Sequence, residues 1–155
     1  MVCGAVLMME ESKQFKSLKL HFAVEQGDFV RAGEASSKIK KVLSQLGFPA
    51  SLIRRAAIAA YEAEMNIVIH SWGGELETEI GPDHVIIVAR DKGPGIPDIA
   101  LAMEEGYSTA PDKVREMGFG AGMGLPNIKN CATEFNIESG EGKGTVLKIL
   151  IAVKE

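Results

Sequence analysis

Apolar and polar side chains alternate along several stretches of the chain, which is the period of strands that bury one face. The first stretch runs from Ser17 to Val24. Glu75–Ile80 and His84–Arg90 flank the turn residues GPD and predict an antiparallel hairpin. A last hairpin is predicted from Asn136–Glu138 and Thr145–Val153 around SGEGKG.

The segments between these strands have the hydrophobic periodicity of helices. Asp28 is a plausible N-cap for a first helix that ends at Gly47, where a glycine suits the position after a helix. Ser51–Ser71 predicts a longer, alanine-rich helix whose small side chains permit close packing. Asp98–Gly106 and Leu125–Phe135 predict two further helices.

The order of these elements indicates the fold class. Strands that come in adjacent antiparallel pairs favour a two-layer α+β sandwich over a parallel doubly wound sheet. We expect a mixed, mostly antiparallel sheet covered on one face by helices. Residues 1–15 are predicted to be a loose leader, and residues 16–155 a single domain, since 155 residues suffice for one core.

Composition excludes several classes of function. The net charge is −4 and no basic cluster exceeds a dipeptide, which disfavours nucleic acid as a partner. The two cysteines, Cys3 and Cys131, form neither a disulfide framework nor a zinc motif. No apolar run approaches the roughly 20 residues of a membrane span. These features favour a reducing cytoplasm.

The stretch EAEMNIVIH on the second helix places Glu62, Asn66 and His70 along one face. A carboxylate base beside an amide oxygen that could bind Mg²⁺ is the functional interpretation. The alternative is that these groups face solvent, and for His70 that view, or a capping role, is favoured. Glu64 is expected on the opposite side of the helix, in solvent.

Three glycine-containing stretches follow. In DKGPG, Asp91 could accept a hydrogen bond from an exocyclic amine such as that of adenine, with Gly93 and Gly95 leaving room for a flat ring; an ordinary turn is the alternative. In GFGAGMGLPNIKN, glycines feed a helix whose N-terminus would attract phosphate, although flexibility alone could explain them. A hairpin turn is enough to explain the stretch GEGKGT, and no ligand is required.

Taken in order, these four stretches resemble the nucleotide-binding boxes of the GHKL (Bergerat-fold) ATPases. Within that superfamily the chain is most similar to the bacterial anti-sigma-factor and stressosome switch serine kinases, over roughly Leu18 to Val153. The resemblance implies that Glu62 is the general base, that Asn66 holds Mg²⁺ bridging the ATP phosphates, and that Asp91 binds adenine with Thr145 supporting it through water. It further implies that the pocket and the hinges of a lid between Gly106 and Gly120 are formed by Gly93, Gly95, Gly120, Gly122, Gly124 and Leu125.

The implied function is ATP- and Mg²⁺-dependent phosphorylation of a small regulatory protein, plausibly a STAS-domain antagonist, with a sigma factor or similar switch target as a second partner. Such kinases often work as dimers or in larger complexes. A non-catalytic ATP-binding anti-sigma factor or nucleotide-sensing adaptor is the alternative. Trp72, the only tryptophan, is expected to cover the core rather than contact a partner.

Overall fold

A computed structural model describes residues 17–106 and 124–154. These residues form five strands and four helices. In chain order they are β1 (Leu18–Val24), α1 (Glu34–Gln45), α2 (Ala50–His70), β2 (Gly74–Ile80), β3 (His84–Asp91), α3 (Ile99–Ala102), α4 (Gly124–Cys131), β4 (Glu134–Gly140) and β5 (Gly144–Ala152). The predicted leader and most of the predicted lid lie outside the described residues.

The five strands form one sheet in the order β1-β2-β3-β5-β4. All four neighbouring pairs are antiparallel. The predicted hairpins are therefore present, and the two-layer α+β class is confirmed. The neighbours β3 and β5 are distant in sequence, and their pairing places Asp91 opposite Thr145.

The core lies between one face of the sheet and the helices. Every second residue of β2 is buried from Leu76 to Ile80, as a half-buried strand requires. On the helical side, Ala56, Ala59 and Ala63 of α2 are all fully buried. Because alanine is small, α2 can lie close to its neighbours, and it contacts α1, α4 and the sheet.

Helix α1 begins five residues later than predicted, since its N-cap is Gly33 and not Asp28. The Asp28 carboxylate accepts a hydrogen bond from the backbone N–H of Arg31 at 3.1 Å, so it closes a local turn instead of starting the helix. The C-terminal prediction is confirmed, because Leu46 ends the helix and Gly47 follows with φ of +83°.

Glu64 supplies the cap that Asp28 does not, and the expectation that Glu64 is solvated is wrong. Its side chain comes from α2, is only 4% exposed, and accepts N–H groups at the start of α1. The donors are Gly33 at 3.0 Å, Ala35 at 3.4 Å and Ser36 at 3.4 Å. Burial raises the pKa of Glu64, and these backbone amides oppose that rise.

Helix α4 ends at Cys131, earlier than the predicted Phe135, which instead lies in β4 opposite Ile149. Arg55 of α2 holds this end: its guanidinium donates to Cys131 O at 3.0 Å, Ala152 O at 2.9 Å and Thr133 Oγ1 at 3.1 Å. The Cys131 carbonyl at the end of α4 therefore accepts its hydrogen bond from a buried side chain rather than from solvent.

Helix α3 lies within the predicted Asp98–Gly106 segment, and the Asp98 carboxylate caps it by accepting the Leu101 N–H at 3.0 Å. In the part of the chain that the structure describes, no helix combines the length and apolar character needed to cross a membrane.

Candidate nucleotide site

Glu62, Asn66 and His70 lie along one face of α2, as their spacing predicts. All three are half-buried, whereas Ala63, Met65 and Ile67 between them are buried. The stripe therefore runs along the boundary between core and surface. Burial lowers the pKa of His70, so this histidine is more enclosed than the favoured solvent-facing interpretation implies.

The Glu62 carboxylate faces the start of α4. Its Oε2 atom accepts a hydrogen bond from Asn127 Nδ2 at 3.1 Å. Its Oε1 atom lies 3.4 Å from the position that a Cβ would occupy on Gly124, so the absence of a side chain there leaves this oxygen uncovered by residue 124. Leu125, also a predicted site residue, is 7% exposed and anchors the first turn of α4 in the core.

Asp91 is the last residue of β3, and its register partner on β5 is Thr145. The Thr145 N–H donates to Asp91 Oδ1 at 3.1 Å. Burial raises the pKa of the Asp91 carboxyl, and the Thr145 amide opposes this effect. Among the described residues none donates to Oδ2, so a half-buried carboxylate oxygen retains acceptor capacity that an exocyclic amine could use.

Gly93 and Gly95 follow Asp91 and meet protein backbone at close range. A Cβ on Gly93 would lie 3.1 Å from Ser71 Cα, just beyond the end of α2. A Cβ on Gly95 would lie 2.3 Å from Gly140 O, and Gly95 has φ of +80°. Packing of this loop against α2 and the β4–β5 hairpin explains why both positions are glycine. The sequence pattern alone could not distinguish this explanation from a need for space beside a ligand.

Ser139 joins this loop to the hairpin and was not identified from the sequence. Its hydroxyl accepts the Ile96 N–H at 2.7 Å and donates to Gly144 O at 3.1 Å. It also lies 2.9 Å from the Thr145 hydroxyl. A serine in an alternating strand carries no special signal, so only the pairing of β4 with β5 reveals this network.

Helix α2 connects the Glu62 and Asp91 regions. The Trp72 N–H donates to Lys92 O at 2.7 Å, and the Lys92 N–H donates to Gly73 O at 3.0 Å, so the end of α2 is tied to the DKGPG loop. At about 1.5 Å rise per residue, Asn66 lies about 6 Å along the axis from Glu62 and about 7.5 Å from Ser71. The metal candidate thus stands between the base candidate and the adenine candidate.

The donor types of this site fit Mg²⁺ and a nucleotide. Asn66 offers an amide oxygen of the kind that Mg²⁺ binds, Glu62 offers a carboxylate that can accept a proton, and Asp91 retains an open acceptor. Gly124 begins the eight-residue helix α4 beside Glu62 Oε1, and the N-terminus of a helix favours anions such as phosphate. Gly120 and Gly122 lie outside the described residues.

Trp72 lies next to this region, directly after α2. The expectation that it covers the core is wrong, because its side chain is 61% exposed. Only its backbone N–H is used in tying α2 to the DKGPG loop.

Comparison with known proteins adds to this geometry. A model of the family described as histidine kinase-, DNA gyrase B- and HSP90-like ATPases matches residues 51–155. The serine/threonine-protein kinase RsbT of Bacillus subtilis is 34% identical over 115 residues, which span 72% of this chain and 80% of that protein. An anti-sigma F factor of Clostridium beijerinckii is 34% identical over 102 residues, or 62% of this chain and 66% of that protein.

The fold has a solved counterpart. The crystal structure of the SiaB-SiaC complex from Pseudomonas aeruginosa contains a chain that aligns with a TM-score of 0.61 over 94% of this chain and 96% of that chain. The sequences are 17% identical, so this likeness concerns the fold.

Proposed function

The chain belongs to the family of histidine kinase-, DNA gyrase B- and HSP90-like ATPases, and from this premise we propose that it is an ATP- and Mg²⁺-dependent serine/threonine protein kinase of the partner-switching type. The family includes several kinds of ATPase. The similarity of the chain to the kinase RsbT and to anti-sigma F factors supports kinase activity in particular. The substrate is a small regulatory protein of the STAS type, and a sigma factor or similar target is the second partner.

One observation carries the assignment of the catalytic group. The Glu62 carboxylate lies one helical turn from Asn66 and points to the start of α4, with Oε1 beside a glycine. A base must reach the proton that it abstracts, and this oxygen has no side chain in front of it at residue 124. Glu62 is therefore the general base, and Asn66 is the ligand that would hold Mg²⁺.

The reaction follows from these positions. Glu62 accepts the proton of a serine or threonine hydroxyl, and the hydroxyl oxygen forms a bond to the γ-phosphorus as the bond from that phosphorus to ADP breaks. Mg²⁺ held through the Asn66 amide oxygen would neutralise phosphate charge. Asp91 orients the nucleotide by accepting the adenine amine, while Thr145 fixes the Asp91 carboxylate.

The kinase assignment is tested by incubating the protein with γ-labelled ATP, Mg²⁺ and candidate STAS-domain proteins. We expect Glu62→Gln to lower phosphate transfer by about 10²- to 10⁴-fold, the usual contribution of a general base, with ADP binding retained. Glu134→Gln makes the same chemical change at an exposed position on the edge strand β4 and serves as the matched control. Equal nucleotide binding by wild type and Glu62→Gln with no transfer to any partner would instead indicate a non-catalytic binding module.

The adenine assignment has its own test. Asp91→Asn keeps an oxygen for the Thr145 N–H but turns an amide NH₂ toward the position of the adenine amine, so two donors would meet. We expect ATP affinity to fall at least about tenfold, the equivalent of one lost hydrogen bond to a charged group. Unchanged ATP affinity, measured by calorimetry, would contradict the role of Asp91.

A further inference from the structure

We propose that Asn127 is a positioning residue for Glu62: it holds one carboxylate oxygen so that the other, Oε1, receives the proton of the substrate hydroxyl. This inference rests on the general-base role proposed above for Glu62. It assigns a function to a residue in the first turn of α4 that the sequence pattern did not single out.

The contact joins two helices. Asn127 Nδ2 donates to Glu62 Oε2 at 3.1 Å, and both side chains are half-buried. Leu125 and Ile128, on either side of Asn127, are buried in the core. Because α4 is fixed by these neighbours and packs directly on α2, the amide presents its donor from a defined place.

The two groups of the pair are complementary. A carboxylate oxygen accepts hydrogen bonds and the amide NH₂ donates them, so Asn127 Nδ2 can hold Glu62 Oε2. The bond occupies Oε2 and restricts rotation of the carboxylate. Oε1, next to Gly124, is then the oxygen directed to the substrate, and none of the described residues donates to it.

The same hydrogen bond would be present if Asn127 only stabilised the packing of α2 against α4. That structural role predicts different effects of Asn127 substitutions on kcat, KM and ADP affinity. A structural tie affects folding and all ligands alike. A positioning residue affects the chemical step, and only while Glu62 is able to act as a base. The two roles are separated by measuring kcat, KM and ADP affinity in the presence and absence of the Glu62 carboxylate.

The experiment uses hydrolysis of Mg²⁺-ATP, with water as acceptor, by Asn127→Ala and by Asn127→Leu, which has a similar shape and cannot donate. We expect kcat to fall about tenfold or more, as for other small misplacements of a catalytic group, with KM and ADP affinity within about twofold of wild type. In a Glu62→Gln background the same substitutions should change kcat less than about twofold, since the base is already lost. Asn130→Ala, at an exposed position of the same helix, is the control and should behave as wild type.

The outcomes distinguish this inference from the function on which it rests. A Glu62→Gln protein with full hydrolysis would overturn the base assignment and the inference with it. Impaired Glu62→Gln with unimpaired Asn127 variants, or equal losses in both backgrounds, would overturn the inference alone. The contact itself is tested without turnover: Glu62→Ala and Asn127→Ala should shift the urea midpoint non-additively, and strictly additive shifts would refute it.

Discussion

Arg55 is the buried cation whose removal should cost the fold most. Its guanidinium lies at the C-terminal end of α4 and donates to three acceptors on separate segments: Cys131 O, Ala152 O and Thr133 Oγ1. Thr133 Oγ1 in turn accepts the Ala152 N–H at 3.0 Å, so the three acceptors form one network. Arg55→Met keeps an unbranched apolar stem of similar length and removes all of these donors.

The size of the effect follows from the contacts. Three hydrogen bonds at about 1 to 1.5 kcal/mol net, less the relief of no longer burying a charge, give a loss of about 3 kcal/mol in the free energy of unfolding. A cation near a helix C-terminus adds about 0.3 to 1 kcal/mol. We therefore expect Arg55→Met to lower stability by about 3 to 4 kcal/mol. Arg55→Lys should recover only about a third of this, because an ammonium cannot reach three acceptors in the fork geometry of arginine.

Urea unfolding followed by circular dichroism measures this loss, provided that the m-value is unchanged. Arg54→Met is the matched control, since Arg54 is the neighbouring exposed residue and its replacement should change stability by less than about 0.5 kcal/mol. An Arg55→Met protein within about 1 kcal/mol of wild type would refute the view that this side chain holds the end of α4.

Three further substitutions each test a single buried or half-buried group. Glu64→Ala removes the acceptor for the first amides of α1 and should lower the free energy of unfolding by about 2 kcal/mol; an unchanged urea midpoint would contradict the capping role. Thr78→Val should raise stability by about 1 kcal/mol in thermal melts, because the buried Thr78 hydroxyl has no partner among the described residues, and a lower Tm would show that it has one. Burial lowers the pKa of His70 from 6.5, so the folded chain binds this proton less tightly than the unfolded chain. The part of the free energy of unfolding that depends on His70 is therefore complete above pH 6.5 and is lost as the pH falls through the pKa of His70 in the folded chain. His70→Gln should remove this dependence of stability on pH.

The sequence predicts most of the fold because most elements are specified locally. The alternation in β2 and β3 and the turn between them predict that hairpin without reference to the rest of the chain. The start of α1 is not local: its cap is Glu64, 30 residues beyond the first helical residue, Glu34. A capping rule applied to neighbouring residues therefore selects Asp28, and a helical-wheel argument places Glu64 in solvent.

The candidate site also combines features that local sequence predicts with features that depend on distant residues. The i, i+4 spacing on α2 suffices to place Glu62 and Asn66 together, since helix geometry is regular. The partners of the site residues come from elsewhere in the chain, as with Asn127 for Glu62 and Thr145 for Asp91. These depend on helix packing and on the pairing of β3 with β5, which no local pattern encodes.

Helix α4 links the stability of the chain to its proposed chemistry, because α2 holds both of its ends. Arg55 binds the C-terminal end through Cys131 O, and Glu62 meets the N-terminal end through Asn127. Glu62 comes later in α2 than Arg55, whereas Asn127 comes earlier in α4 than Cys131, so these two contacts place α4 antiparallel to α2. A helix this short has little stability of its own, so its position depends on these two contacts and on its buried side chains. Loss of the Arg55 contact should therefore lower the rate of the chemical step as well as stability, although the hydrogen bonds of the Arg55 guanidinium go to other residues than Glu62 and Asn127.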